Sequence, residues 1–243
     1  MERIGIAVSG IVAASLAVGM AAAPALAGSL KVSVDSFKSG QMIPNKYVFC
    51  APAAQGHTTG GGNISPRISW SKGPAGTKSY AIILYDTDSP AAEREKMNKE
   101  GETLTSAVPR KDFFHWVLVD IPPNVTSLPE GAESKARVVH GKPPIPVKFG
   151  RRGLNDYTKA TAANAAMAGK YFGYDGPCPP WNDENIHHYH FTVYALSVPT
   201  LDLGKEFDGP AAMAAMKGKV LAQGGVLGLY TQNPAKGAKL SKK

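Results

Sequence analysis

The chain has 243 residues, of which 43% are hydrophobic, and its 26 glycines and 19 prolines make it rich in turns. A formal charge of +8, from 27 Lys and Arg against 19 Asp and Glu, favours anionic partners by steering. The cations are scattered, and the one cluster (Lys236, Lys239, Lys242, Lys243) is a solvated tail, which excludes a nucleic-acid patch.

In chain order, Arg3 opens a segment that is apolar or small from Ile4 to Ala23 and ends in Ala25-Leu26-Ala27, the small-x-small pattern that a signal peptidase reads. Residues 1–27 therefore read as a signal peptide and 28–243 as a single exported domain, periplasmic or secreted. The two cysteines, Cys50 and Cys178, form an even count in such a compartment and read as a disulfide.

Residues 32–34 alternate as a first strand, 40–44 form a turn and 56–66 a Gly-rich loop. Residues 67–70 read as a half-buried strand. Residues 80–85 are continuously apolar at strand length, which fits a strand buried on both faces. The charged stretch 91–102 predicts a surface helix. A second buried strand spans 113–121 and stops at Pro122-Pro123, followed by an irregular crossing over 129–146. The Ala-rich stretch 158–168 predicts a short helix, and 190–196 a third buried strand. Met213, Met216, Val220 and Leu221 recur at helical spacing, predicting an amphipathic helix over 211–222 before a last strand at 226–230. Many short strands punctuated by Pro and Gly argue for a mainly β sandwich with peripheral helices.

Four segments place polar groups at the ends of apolar strands. Asp86-Thr87-Asp88-Ser89-Pro90 follows the 80–85 strand, and reads either as a carboxylate pair or as a plain turn. His115 alternates with Val117, Val119 and Ile121, so it points toward core or pocket, where a carboxylate such as Asp86 would favour its protonated form. Gly176-Pro177-Cys178-Pro179-Pro180 is stiff and leaves few backbone N–H groups, those of Gly176 and Cys178 foremost. In His187-His188-Tyr189-His190, alternation puts His187 and Tyr189 on one face and His188 and His190 on the other, which argues against one zinc ion held by all three. Nucleotide-binding and G-x-S-x-G motifs are absent from the sequence. No metal or cofactor is expected.

Taken together, these segments resemble the phosphatidylethanolamine-binding protein family, which includes Raf kinase inhibitor proteins. The resemblance runs from Asn63-Ile64-Ser65-Pro66 with Trp70, through Asp86-Thr87-Asp88-Ser89-Pro90 (Thr87 where the family has Pro) and His115-Trp116-Val117. It continues through Asn155-Asp156, Tyr174 and Gly176 to Pro180, and His187-His188-Tyr189. It implies an antiparallel β-sandwich with a Greek-key core, a few short peripheral helices and a helix near the C-terminus. It also implies a pocket for phosphate-type head groups or other small anions, built by Asp86, Asp88, Pro90, His115, Pro179, Pro180, His187 and Tyr189. The two imidazoles, the Tyr hydroxyl and nearby backbone N–H groups would converge as donors, with the aspartates orienting the rings.

Three departures accompany the resemblance: a long connection at 91–112, Trp181 where Lys is common, and the acidic run Asn182-Asp183-Glu184 beside the pocket. The expected function is that of an exported binding module for a small anionic or phosphorylated ligand, not an enzyme. A protein partner at the pocket rim, weak membrane-surface contact and no nucleic acid complete that expectation. The alternatives are a hydrolase using the same His and Asp residues, or a protease-inhibitor-like interaction protein.

Overall fold

The computed structural model describes residues 1–2, 28–144 and 148–240; most of the segment expected to be a signal peptide, residues 145–147 at the end of the expected crossing, and the last three residues lie outside the described residues. Six short strands come first: β1 (Gly28–Ser29), β2 (Val32–Val34), β3 (Gln41–Met42), β4 (Cys50–Pro52), β5 (Thr58–Gly60) and β6 (Ile68–Trp70). The long β7 (Ser79–Pro90) and β8 (Arg110–Ile121) follow, then β9 (Ser127–Leu128), β10 (Gly141–Lys142), β11 (Arg151–Arg152), α1 (Tyr157–Ala160) and β12 (Lys170–Tyr171). The chain closes with β13 (His187–Leu196), α2 (Gly209–Met216), β14 (Val220–Tyr230) and α3 (Pro234–Leu240).

The main sheet has the order β1-β14-β13-β7-β8-β11, with β3 also on β14. Its four long strands are antiparallel, and after β8 the chain crosses back to lay β13 beside β7. The mainly β sandwich is as expected, with one correction: β1 and β3 join β14 in parallel, so that edge of the sheet is mixed.

The alternation of side chains across β7 explains the layers. Tyr80, Ile82 and Leu84 face the small antiparallel sheet β2-β6-β9, and share one core with Val34, Ile68, Trp70, Leu128, Trp116 and Phe191. Ala81 and Ile83 face the other way, into a second core with Val117, Val119, Tyr194, Leu196, Phe207, Ala212 and Met216. Residues 80–84 of the expected 80–85 run are therefore buried on both faces, while Tyr85 is half-buried. Each fully buried Ile or Leu there contributes about 1.5–3 kcal/mol.

Three helix expectations are corrected. The stretch 91–102 holds only a 3-10 turn, Arg94–Lys96, because Glu93, Asn98 and Gly101 take left-handed backbone angles (φ 54°, 58° and 77°) that interrupt a helix. Asn182 fixes that irregular path, donating to the carbonyls of Lys96 and Glu102 and accepting from the Asn98 N–H. In 158–168 only the single turn of α1 is helical, and the rest is a series of turns. Helix α2 is capped by Asp208, whose side chain accepts from the Ala211 N–H at 3.1 Å, and it ends at Met216 instead of continuing to 222. Gly218, at φ 75°, turns the chain, and Val220 pairs with Leu196 across β13 and β14.

Candidate functional site

Where β7, β8 and β13 reach the same end of the sheet they enclose a cavity of about 90 Å³, roofed by the loop 177–180 and flanked by the connection 91–102. Tyr189 pairs with Asp86 across β13 and β7, which brings both to the cavity wall. On β8 the register passes from Leu84↔Trp116 to Tyr85↔Phe114, leaving His115 as an extra, bulged residue. The bulge corrects the expected face of His115. Val117 and Val119 point into the α2-side core, whereas His115 packs at the cavity with Tyr189 (ring centroids 5.3 Å apart) and Tyr157 (5.6 Å).

His187 is buried and held at both ring nitrogens. Its Nδ1 lies 2.7 Å from Asp86 Oδ2 and its Nε2 lies 3.2 Å from Asp183 Oδ2. Carboxylates are acceptors, so this geometry suits the imidazolium, with both nitrogens donating. Burial pulls the ring down, but the Asp86 charge and the hydrogen bonds to Asp183 and Asp86 outweigh it and raise its pKa to about 9. Arg110 completes the chain as a fork on Asp183, at 2.5 Å to Oδ2 and 3.0 Å to Oδ1. It also donates to the carbonyls of Asp88 and Thr105. Burial pushes the Asp183 carboxyl up, yet its bonds to His187 and Arg110 hold it below its ordinary value. Asp86, Asp183, His187 and Arg110 thus neutralise one another.

His115 is the opposite case. It is buried, its Nδ1 lies 2.9 Å from the carbonyl oxygen of Asp175, and burial holds its pKa below the ordinary value against the pull of Asp86 and the Asp175 carbonyl. The segment that carries this carbonyl is anchored from behind. The Asp175 carboxylate accepts from Lys142 Nζ (2.6 Å), Asn63 (2.8 Å) and Asn155 (2.8 Å). The Gly176 N–H donates to Asn63 Oδ1 at 2.8 Å, and the Tyr157 hydroxyl donates to the Gly176 carbonyl at 2.8 Å. A Cβ at Gly176 would collide with the Tyr47 carbonyl, so only glycine fits this approach. Cys178 is bonded to Cys50 with Cα atoms 4.7 Å apart, as the cysteine count implied, and the N–H groups of Phe49 and Cys50 donate to the Pro177 carbonyl.

Seven of the eight expected site residues meet at the cavity: Asp86, Pro90, His115, Pro179, Pro180, His187 and Tyr189. Asp88 does not. Beyond Asp86 the β7–β8 register shifts, and Asp88 Oδ2 instead accepts from the backbone N–H of His188 (2.9 Å) and lies 3.0 Å from its ring Nδ1. The expected donor set is corrected too: His187 has no nitrogen left for a ligand, and the Gly176 N–H is taken by Asn63. His190 stacks on Tyr85 at 5.1 Å on the other sheet face, as alternation required.

Four residues with clear roles escaped the sequence reading: Arg110, Asp183, Asp175 and Arg94. Asp183 drew notice only as part of an acidic run, and its position four before His187 was the available signal. Arg94 lines the cavity mouth, and only the long connection hinted at it. Among the described residues, no group of three His, Cys, Asp or Glu side chains is placed to hold a metal ion. An open depression of about 380 Å³ lies among Tyr85, His190, Thr192 and Tyr194, and contains none of the expected site residues.

Comparison with known proteins bears on the family and the fold. The sequence profile described as Phosphatidylethanolamine-binding protein matches residues 33–231. A UPF0098 protein of Aquifex aeolicus is 32% identical over 205 residues, covering 84% of this chain and 90% of that one. The UPF0098 protein YbcL of Escherichia coli is 31% identical over 189 residues, covering 76% and 78%. The crystal structure of E. coli YbcL, described as a new member of the mammalian PEBP family, superposes with a TM-score of 0.59 at 26% identity, covering 84% of this chain and 99% of that one. The Chlamydia trachomatis protein CT736, described as a homologue of phosphatidylethanolamine-binding protein, gives 0.55 at 26% identity, with 84% and 97% covered. With the family profile spanning nearly all of the described domain and the same fold in these relatives, the chain belongs to the phosphatidylethanolamine-binding protein family.

Proposed function

We propose that this chain is an exported ligand-binding module, not an enzyme, and that its cavity takes a small anionic or phosphorylated head group. The observation that carries the reading is an unpaired polar wall. The Tyr189 hydroxyl is fully buried at the cavity and has no hydrogen-bond partner, beside the open edge of His115. Buried polar groups are almost always satisfied, so this hydroxyl calls for a polar ligand. With the His187 imidazolium neutralised by its two carboxylates, positive charge is supplied by Arg94 at the mouth.

A binding role is favoured over hydrolysis by the state of the reactive groups. Ser89 lines the cavity, but His187 has both nitrogens on carboxylates and is not paired with it as a base. Cys178 is consumed in the disulfide. Export is supported by the Ala25-Leu26-Ala27 cleavage pattern, and the disulfide suits an oxidising compartment. A partner protein would meet the bound ligand at the rim near Arg94 and Trp181.

Calorimetric titration with inorganic phosphate tests the reading. Saturable binding at one site per chain is expected. Tyr189→Phe should weaken it by about 1 kcal/mol or more while leaving stability nearly unchanged, because the hydroxyl bonds to no protein group. Absence of binding, or equal binding by the variant, contradicts the proposal.

A further inference from the structure

The wall of the cavity holds two histidines, and only His115 is free to meet a ligand. Its Nδ1 faces the carbonyl oxygen of Asp175 at 2.9 Å. A carbonyl offers only lone pairs, so Nδ1 carries the proton, and in the neutral ring Nε2 is then a bare acceptor. Among the described residues no hydrogen bond to that Nε2 is formed. The groups around the ring are Phe113 from β8, Tyr157 from α1 and Tyr189 from β13. The charges acting on it are the carboxylates of Asp86, Asp156 and Asp175. Burial favours the neutral ring in spite of them. A fully deprotonated oxyanion placed here would set lone pair against lone pair.

Building on the anion-binding reading above, we infer that the head group brings its own donor: the cavity selects a phosphate monoester in its P–OH monoanionic form over a phosphodiester. The P–OH donates to His115 Nε2, and the remaining oxygens accept from the Tyr189 hydroxyl and from Arg94 at the mouth. A diester has no P–OH and leaves Nε2 unpaired. The cost of such an unmatched buried acceptor is what discriminates the two ligand classes.

The test is calorimetry on the intact, disulfide-bonded protein with inorganic phosphate, methyl phosphate and dimethyl phosphate, in buffers of different ionisation enthalpy that count protons. A phosphate monoester loses its second proton with a pKa of about 6, so at about pH 7.5 methyl phosphate should bind with uptake of close to one proton, and at about pH 6 with clearly less. Dimethyl phosphate should bind at least about tenfold more weakly at both values, the loss expected for one unpaired polar group. His115→Gln, whose amide can turn its NH₂ toward the ligand, should narrow the gap between the two esters. Dimethyl phosphate binding as tightly as methyl phosphate overturns the inference. So does its binding with proton uptake, which would put the proton on His115, and so does an unchanged gap in the variant. In each of these cases inorganic phosphate still binds and the anion-binding reading stands. Failure of all three probes to bind overturns that reading and the inference together.

Discussion

The two histidines of the cavity lie on neighbouring walls, yet their surroundings give them opposite chemistry. His187 sits between two carboxylates, with a guanidinium behind one of them, and is charged and saturated. His115 sits against a backbone carbonyl and aromatic rings, and is neutral and open on one side. Burial does not separate them, since both are almost fully buried. What separates them is whether a carboxylate or a carbonyl meets the ring. The first histidine is thereby a fixed part of the wall, and under the proposed function recognition is left to the second.

The comparison can be broken most strongly at the charged side. Asp183→Ala removes the carboxylate shared by His187 and Arg110 and leaves the buried His187 ring and a part-buried guanidinium each short of a partner. A loss of about 3–5 kcal/mol in denaturant unfolding is expected, as for other broken buried pairs. A loss under about 1 kcal/mol, the value of a surface pair, would show that His187 and Arg110 are not held as described. On the open side, the stiff loop over His115 depends on the bridge between Cys50 and Cys178, which are 128 residues apart. Replacing both by alanine should cost about 2–5 kcal/mol, read in the same experiment.

Stability against pH sharpens the contrast, because the two rings act with opposite sign. His187 is raised on folding, so its contribution is full below its unfolded value of 6.5 and is lost as pH climbs toward about 9. His115 is depressed on folding from the same 6.5, so its contribution is present above that value and is lost as pH falls through its lower folded value. Unfolding curves measured across this range should show both slopes, with His187→Gln flattening the upper one and His115→Gln the lower. The smallest effect belongs to His188→Ala. That ring is 45% exposed beside Asp88 on the far face, and its loss should cost only about 0.2–1 kcal/mol and leave phosphate binding intact.

Much of this architecture could be read from the residues. The two-faced burial of 80–84 followed from a continuous apolar run, the split of the 187–190 histidines from the period of two in strand geometry, and the pairing of the cysteines from their even count. Helix lengths were less legible. Val220 and Leu221 continue a helical spacing after Met213 and Met216, but Gly218 and pairing with β13 override it. The bulge at His115 was hidden because it arises from the register between β7 and β8, not from β8 alone. Arg110 and Asp183 lie 73 positions apart, and Asp175 reaches Asn63 across 112. No local pattern announces such pairs, so the saturation of His187 became visible only in three dimensions.

The central claim is that His115, and not His187, is the histidine that meets the ligand. Nitrogen-detected NMR of the labelled imidazoles during a titration with inorganic phosphate tests it most directly. At neutral pH the account predicts that His187 shows two protonated nitrogens that hold their shifts, while His115 shows a protonated Nδ1 and a bare Nε2 whose resonance moves on binding. Movement confined to His187, with His115 Nε2 unchanged at saturation, would contradict it.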